Sequence, residues 1–453
     1  MRDFIVLAFI FLSAPAALFS PYYGVLVWHF ISFLNPHRFA WSFAFNFPVA
    51  MVIGIPTLIG ALFTKDSNRK LFTRETLILV ILWAWFCVTL FHASQIPFLS
   101  THLDDGLFKL TRISKILLMT FVTFYLVSSK QKLRWLLLLV AFCFIFLDGK
   151  GAIWGVATGG EWRVYGPQES FIEDNNAFAL ATNMVMPLMF FLAWDEERRW
   201  VRWLLRFGFV SGIIAVMLTY SRGGLLGLAV VLGLVAIKAH RKLIAACLLV
   251  LVTLGTLAYS PEKWKDRMSG FLEGKVDSSA EQRLVTWGVG LRLVRDYPVF
   301  GGGFEVYPDV AIFQHYKTRD MPGGRLSAGP HSIYMEMLGE HGFVGLGLFL
   351  SLVGSCLLTL RKVIRISKRD PNGRWALVTA HSFEVSIYAF LVSGAFLGFA
   401  NFDLWYLYVA CTSVLHLLYM QQLKSEAQGP IVSQSPEEPH GSSVPASRDG
   451  IYA

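Results

Sequence analysis

The chain is built from repeated apolar runs, separated by short loops rich in Lys and Arg. Runs of about 17–25 apolar residues have the length of helices that span a bilayer. The composition agrees, since 55% of the residues are hydrophobic and 16% are charged, whereas about a quarter of the residues of soluble proteins are charged. The sequence therefore predicts an all-α integral membrane protein.

The basic residues cluster on alternate loops, which marks those loops as cytoplasmic. This pattern explains the net charge of +9 as topology, so we expect no nucleic-acid partner. Before Arg74 the apolar runs allow two or three crossings. We read Phe4–Phe19 as a retained span and favour two crossings, which gives about twelve transmembrane helices in all. The spans predicted after Arg74 are Glu75–His92, Phe108–Val127, Trp135–Leu147, Ala177–Trp194, Leu205–Tyr220, Gly223–Ile237, Leu243–Tyr259, Ile333–Leu360, Phe383–Ala400 and Leu404–Met420.

One long polar segment, residues 260–330, interrupts the apolar pattern on the predicted outer side. Within it Leu284, Trp287, Leu291 and Val294 recur at helical spacing, which predicts an amphipathic helix on the membrane or on the bundle. The predicted organisation has four parts. They are N-terminal transmembrane helices in 1–206, a core in 207–360 that includes the polar loop, C-terminal transmembrane helices in 361–423, and a disordered cytoplasmic tail in 424–453.

Arg222 lies in a very short turn between two apolar runs, at the predicted membrane boundary. An ionisable residue there is a functional candidate by default, although an Arg can also snorkel to lipid headgroups. The adjacent Gly223 and Gly224 would let a large group approach. Tyr220, in the same turn, is a candidate for substrate binding.

His331 follows a proline and precedes a long apolar run, so it should lie at the start of a helix. The positive helix end and nearby Arg side chains should lower its pKa, which favours a general base over a packing role. Tyr334 and His341 follow in the same run, and both are candidates for substrate binding, with a structural role for His341 left open.

Other polar residues have weaker individual signals. Arg283 begins the amphipathic helix and is by itself an ordinary exposed arginine, although a guanidinium binds phosphates well. Asp174 and Asn175 precede a span, where they could cap the helix or bind substrate. Lys109 and Arg112, with Lys115, form a cationic stripe on a span, which is costly in lipid unless anions or water meet it. A path for lipid phosphates would supply such anions.

Three motifs together resemble the O-antigen ligase and O-antigen polymerase superfamily. They are the turn Ser221-Arg222-Gly223-Gly224, the stretch from Arg283 through Trp287 to Asp296-Tyr297-Pro298-Val299-Phe300-Gly301, and His331-Ser332 followed by Leu338-Gly339-Glu340-His341-Gly342. The similarity covers about Phe207 to Leu360. The superfamily more often has Asn at the position of Ser332.

The resemblance implies a GT-C type glycosyltransferase that is inverting and needs no metal or other cofactor. Its donor would be O-antigen polysaccharide on undecaprenyl pyrophosphate, and its acceptor a sugar hydroxyl of lipid A–core at the periplasmic face of the bacterial inner membrane. Arg222 and Arg283 would bind the pyrophosphate, and His331 would activate the acceptor hydroxyl. The absence of a metal-binding sequence motif agrees with this expectation.

Two alternatives stay open at this point. An O-antigen polymerase or a protein O-oligosaccharyltransferase of the same superfamily would share the chemistry and differ in the acceptor. A polysaccharide transporter or flippase is more remote, because transporters usually show internal repeats and broken helices at the bilayer midplane.

Overall fold

A computed structural model describes residues 1–68, 70, 72–238 and 278–428. Within these ranges every regular element is a helix. Three short 3-10 helices join or precede the longer ones. The α-helices are α1 (Arg2–Phe19), α2 (Pro21–Leu34), α3 (Val49–Phe63), α4 (Arg74–Ser94), α5 (Leu103–Leu126), α6 (Lys130–Ala157), α7 (Asn175–Asp195), α8 (Arg199–Leu218), α9 (Arg222–Lys238), α10 (Ser278–Asp296), α11 (Val310–Tyr316), α12 (Ile333–Ser367), α13 (Arg374–Gly394) and α14 (Asp403–Ala427).

Seven of the described helices are long and apolar enough to cross a membrane: α1, α4, α6, α7, α8, α12 and α13. They indicate a multi-pass membrane protein, as the sequence predicted. The count of about twelve crossings stays a prediction, and the predicted span Leu243–Tyr259 lies outside the described residues.

Helix α7 is the centre of the bundle, because all of residues 177–189 are buried. It packs against α6, α8, α9 and α13. Polar side chains of α7 find partners inside the bundle, as when the Asn183 amide donates to the Gly224 carbonyl at 2.8 Å. A buried amide would be costly without such a bond. The starts of α7 and α9 are thereby held at the same end of the molecule.

Several predicted boundaries were wrong. Helix α6 continues to Ala157, ten residues beyond the predicted end at Leu147, because Asp148 is fully buried and accepts a 2.8 Å hydrogen bond from Thr182 of α7. The polar Asp148 therefore belongs to the bundle and does not begin an outer loop. At the C-terminus, α14 runs to Ala427, past the predicted start of the tail at Lys424, and the rest of that tail lies outside the described residues.

The described part of the polar loop, with α10 and α11, forms a small core together with Ala93 of α4 and Leu99. Val285, Val289 and Leu293 of α10 are buried in it with residues of α11. The amphipathic helix is present. The face that packs on the protein follows the spacing of four residues that begins at Val285, whereas Leu284 and Leu291 are more than half exposed. The placement of these two leucines on the membrane, which the sequence allowed, stays a prediction.

Candidate active site at the loop end of the bundle

A turn of the polar loop, residues 297–303, packs into a break in α12. At Gly342 the backbone leaves the helical conformation, with φ 67° and ψ −170°. The loop fills the gap, since the Phe343 N–H donates to the Pro298 carbonyl at 2.9 Å and the Gly302 N–H donates to the Gly339 carbonyl at 2.8 Å. A Cβ atom at Gly342 would collide with the loop backbone. The motif that ends at Gly301 and the motif that ends at Gly342 are therefore in direct contact with each other.

His331 lies where the polar loop ends and α12 begins. Its backbone is left-handed, with φ 43°. Trp287 of α10 fixes the preceding residue by donating from Nε1 to the Pro330 carbonyl at 2.8 Å. On the other side, a Cβ atom at Gly398 would lie 3.4 Å from the His331 nitrogen. Two separate parts of the chain therefore lie against the backbone that carries the exposed imidazole.

The electrostatic surroundings lower the pKa of His331. Loss of solvating water against the neighbouring protein is the largest cause, followed by the positive charge of Arg283, and Arg325 acts in the same direction. Asp174 opposes them and raises the pKa. The imidazole is therefore neutral at pH 7 and able to accept a proton.

Arg222 is the first residue of α9, next to the start of α7. The Ser221 hydroxyl accepts from the Gly224 N–H at 3.0 Å, which satisfies one amide of the first turn. Asn175, at the start of α7, donates to the Thr219 carbonyl at 2.8 Å. Two helix N-termini are thereby brought together, and their partial positive charges favour an anion, as does the Arg222 guanidinium.

The glycine pair after Arg222 serves helix packing. A Cβ atom at Gly224 would lie 2.6 Å from the Ala179 side chain, and one at Gly223 would lie 3.1 Å from Phe396. The sequence interpretation, that these glycines make room for a large group, is thus not needed to explain them.

Lys109 is bound by three carboxylates of the protein. Its ammonium lies 3.0 Å from Glu305, 3.2 Å from Glu336 and 2.9 Å from Glu340. Glu336 also accepts from the Ala400 N–H at 3.0 Å. The anions that the sequence required for this lysine therefore come from the polar loop and α12, and the cluster joins α5 to both.

A cavity of about 440 Å³ opens beside this cluster and reaches Gly398, next to His331. Its wall combines carboxylates and cations with phenylalanine rings, and the Arg112 guanidinium lies 3.4 Å from the centre of the Phe171 ring. Rings and hydrogen-bonding groups together suit a sugar, which has both apolar faces and hydroxyls. We name it the site cavity; its lining includes Asp105, Phe108, Lys109, Arg112, Phe171, Glu305, Glu336, Phe399 and Asn401.

Comparison with known proteins identifies the part of the chain that carries this geometry. A family model described as O-antigen ligase matches residues 207–350. The match confirms the resemblance to the O-antigen ligase and polymerase superfamily. Members of that family are glycosyltransferase-like enzymes, and the matched O-antigen ligase region contains Arg222, Arg283 and His331.

Two further comparisons concern the rest of the chain. Residues 1–196 match a family of unknown function. An uncharacterized protein of Haemophilus influenzae is 29% identical over 211 residues, which are 41% of this chain and 49% of that protein. The chain thus spans about half the length of the curated relative it matches.

His341, ten residues beyond His331 in the O-antigen ligase region, is fully buried. Its Nδ1 atom lies 2.8 Å from the Thr89 hydroxyl, and its ring packs between Phe86 and Phe304 with centroid distances of 4.3 and 4.4 Å. Of the two roles that the sequence left open, these contacts favour the structural one.

Three other candidates make contacts within the bundle. The Tyr334 hydroxyl donates to the Leu391 carbonyl at 3.0 Å. Tyr220 has a left-handed backbone, with φ 55°, and its hydroxyl donates to the Gly160 carbonyl. Asp174 caps α7 by accepting from the N–H groups of Asn176 and Ala177. Its carboxylate also acts on the pKa of His331.

Sequence reasoning missed several residues that shape the site. Glu336 and Glu340 are four residues apart on an otherwise apolar helix, so they share a face, and two carboxylates in such a helix call for a cation. Trp287 was read as part of an apolar face, whereas a tryptophan N–H that is partly buried usually needs a partner. Arg325 lies in an exposed loop and carries no comparable signal.

Proposed function

We propose that the protein is an inverting, metal-independent glycosyltransferase of GT-C type. It would move O-antigen polysaccharide from undecaprenyl pyrophosphate to a sugar hydroxyl of lipid A–core. The observation that carries the proposal is an exposed His331, whose pKa is lowered by loss of solvating water and by Arg283, inside residues that match an O-antigen ligase model.

In the proposed reaction, a hydroxyl oxygen of the acceptor attacks the anomeric carbon of the donor glycan. The bond from that carbon to the pyrophosphate oxygen breaks, and undecaprenyl pyrophosphate leaves with the electron pair. His331 takes the hydroxyl proton. Because a sugar hydroxyl is a far weaker acid than an imidazolium, this proton transfer must be concerted with formation of the new C–O bond.

Arg222 and Arg283 would bind the pyrophosphate and stabilise the negative charge that grows on it as the bond breaks. Planar guanidinium groups can bind two phosphate oxygens at once, which a lysine cannot do. The adjoining N-termini of α7 and α9 would add to this stabilisation. Under this proposal the loop end of the bundle faces the periplasm from the inner membrane.

Lipopolysaccharide profiling tests the proposal and its alternatives. A strain without the gene should accumulate polymer on undecaprenyl pyrophosphate and show lipid A–core without O-antigen, and wild type should restore the ladder. Core with a single repeat in the deletion strain would indicate a polymerase instead. A normal ladder together with an unglycosylated surface protein would indicate a protein transferase.

A purified system with defined donor and acceptor tests the chemistry. Arg222→Lys should be severely impaired although it keeps the positive charge, because it loses the planar fork. EDTA should have no effect on wild type, and strong inhibition that added metal reverses would overturn the metal-independent mechanism.

A further inference from the structure

A second cavity continues from the site cavity along α5. It has a volume of about 380 Å³ and lies between α2, the start of α3, and α5. Arg112 and Phe171 line both cavities, so the two are parts of one trough. We call the second part the Arg112–Lys115 groove, since those two side chains of α5 line it three residues apart.

The cations of this groove differ from Lys109 in their partners. Within the part of the chain that the structure describes, Lys115 and Arg112 form no hydrogen bond or salt bridge, and Arg112 is stacked on Phe171. Arg38 also lines the groove and is paired with Glu169 at 2.8 Å. Asp403 and Glu305 attract the charge of Arg112 without forming an ion pair with it. Lys115 is therefore the cation of α5 in this groove whose charge no described carboxylate offsets.

The carboxylate that lines the groove attracts Arg112 and accepts hydrogen bonds from neutral groups. Asp403 accepts hydrogen bonds from the Ser32 hydroxyl and from the Leu404 N–H, the latter at 2.8 Å. The lining contains Arg38, Arg112 and Lys115 against this one carboxylate. The groove is therefore cationic, whereas the site cavity has three carboxylates, Asp105, Glu305 and Glu336.

On α5, which the sequence predicts to span the membrane, a cation without a carboxylate partner is costly, and an anion from the lipid would relieve that cost. A phosphate group fits the pair, because a guanidinium donates in a planar fork and an ammonium adds a compact charge. At about 1.5 Å per residue, Lys115 lies about 9 Å further along α5 than Lys109. That separation leaves room for a sugar in the site cavity and a phosphate at Lys115.

We infer that the Arg112–Lys115 groove binds a phosphate group on the headgroup of the acceptor glycolipid, while a sugar of that headgroup occupies the site cavity. The inference rests on the proposed function, because it takes the acceptor to be a lipid-borne sugar. It adds the chemical feature by which the enzyme would select that lipid.

Binding to the purified full chain in phosphatidylcholine nanodiscs tests the inference. The probes are bisphosphorylated lipid A, fully dephosphorylated lipid A and inorganic phosphate. Bisphosphorylated lipid A should bind best, and Lys115→Gln should weaken it about tenfold through loss of one charge-assisted hydrogen bond. Arg112→Gln should act in the same direction. Lys424→Gln should leave binding unchanged. It removes an exposed lysine near the C-terminal end of α14, whereas Asp403 of the groove lies at the N-terminal end.

Three outcomes would overturn the inference. One is equal binding of phosphorylated and dephosphorylated lipid A by wild type. Another is wild-type affinity for phosphorylated lipid A in both Lys115→Gln and Arg112→Gln. The third is binding of inorganic phosphate as tight as that of the lipid, which would assign the groove to the free anion.

The failure of this inference can be told apart from failure of the proposed function. His331→Ala should bind phosphorylated lipid A as wild type does and should transfer glycan about 10²–10⁴-fold more slowly. Normal transfer by His331→Ala would contradict the proposed base and leave the groove in place. Normal lipid binding by Lys115→Gln and Arg112→Gln would contradict the groove and leave the base in place.

Discussion

His331 and His341 lie ten residues apart in one stretch of sequence, yet their surroundings are opposite. His331 is exposed and has Arg283, Arg325 and Asp174 acting on its charge. His341 is fully buried and packs between two phenylalanine rings. The two residues are of the same type and close in sequence. Exposure to substrate and charged neighbours are what make His331, and not His341, suited to proton transfer.

The largest expected effect is on catalysis by His331→Ala. Loss of a general base typically slows a reaction about 10²–10⁴-fold, and we expect a fall of that size in the rate of glycan transfer. The exposed side chain should contribute little to folding, so the thermal unfolding temperature in detergent should match that of wild type. If His331→Ala lowered the unfolding temperature as well as the transfer rate, His331 would have a structural role like the one expected of His341.

His341→Ala should have the reverse effect. Deleting a large buried ring usually costs about 3–5 kcal/mol of folding stability, and the Thr89 hydroxyl would keep only its bond to the Phe86 carbonyl. We expect a clear drop in the unfolding temperature, with near-normal transfer per folded molecule at low temperature. A stable His341→Ala protein that cannot transfer glycan would show that the buried histidine does more than pack.

Trp287→Phe should have a smaller effect on transfer, which acts through the position of His331. It keeps a ring and removes the hydrogen bond to the Pro330 carbonyl, a loss of about 1 kcal/mol or roughly a fivefold change. We expect lower kcat with little change in unfolding temperature. Trp162→Phe is the matched control, since Trp162 is 63% exposed. Equal effects of the two substitutions would argue against Trp287 as a positioning residue.

The smallest effects concern the pH dependence of transfer. His331 has a pKa below its ordinary value of 6.5, so kcat/KM should be level above that pH and fall as acid protonates the base. Arg325→Gln removes a charge that lowers the pKa, so the acidic limb should move to higher pH. Asp174→Asn removes a charge that raises the pKa, so the limb should move to lower pH.

Each of these two substitutions is the matched control for the other, because both remove one charge from an exposed side chain. Asn can also replace Asp as a helix cap, so α7 should still form. Shifts in the same direction, or an acidic limb that neither substitution moves, would show that the limb reports a group other than His331.

Much of the membrane architecture could be predicted, because a long apolar run has few ways to fold in a bilayer. Boundaries failed where a polar residue was satisfied by a distant partner. Asp148 looked like the start of a loop, but Thr182 of another helix lets it stay in α6. A pattern along one chain segment cannot reveal a partner that tertiary structure supplies.

In the candidate site, the sequence pointed to some residues and not to others, and the roles assigned to them stay predictions. Arg222 and His331 stood out because they lie at the edges of apolar runs. The carboxylates around Lys109 did not, because Glu305 comes from the polar loop and meets Glu336 and Glu340 only in the folded protein. From the sequence, Lys109 therefore looked like a candidate to bind a lipid phosphate. In the folded protein that interpretation remains only for Lys115.

The break at Gly342 has a consequence for how the membrane protein is assembled. A helix interrupted at this point would leave the Phe343 N–H without an acceptor, which is costly away from water. The Pro298 carbonyl supplies that acceptor, although Pro298 belongs to a segment synthesised before α12. The helix can therefore complete its backbone pairing only after the preceding loop has docked, and insertion of α12 and folding of the loop become a single cooperative step.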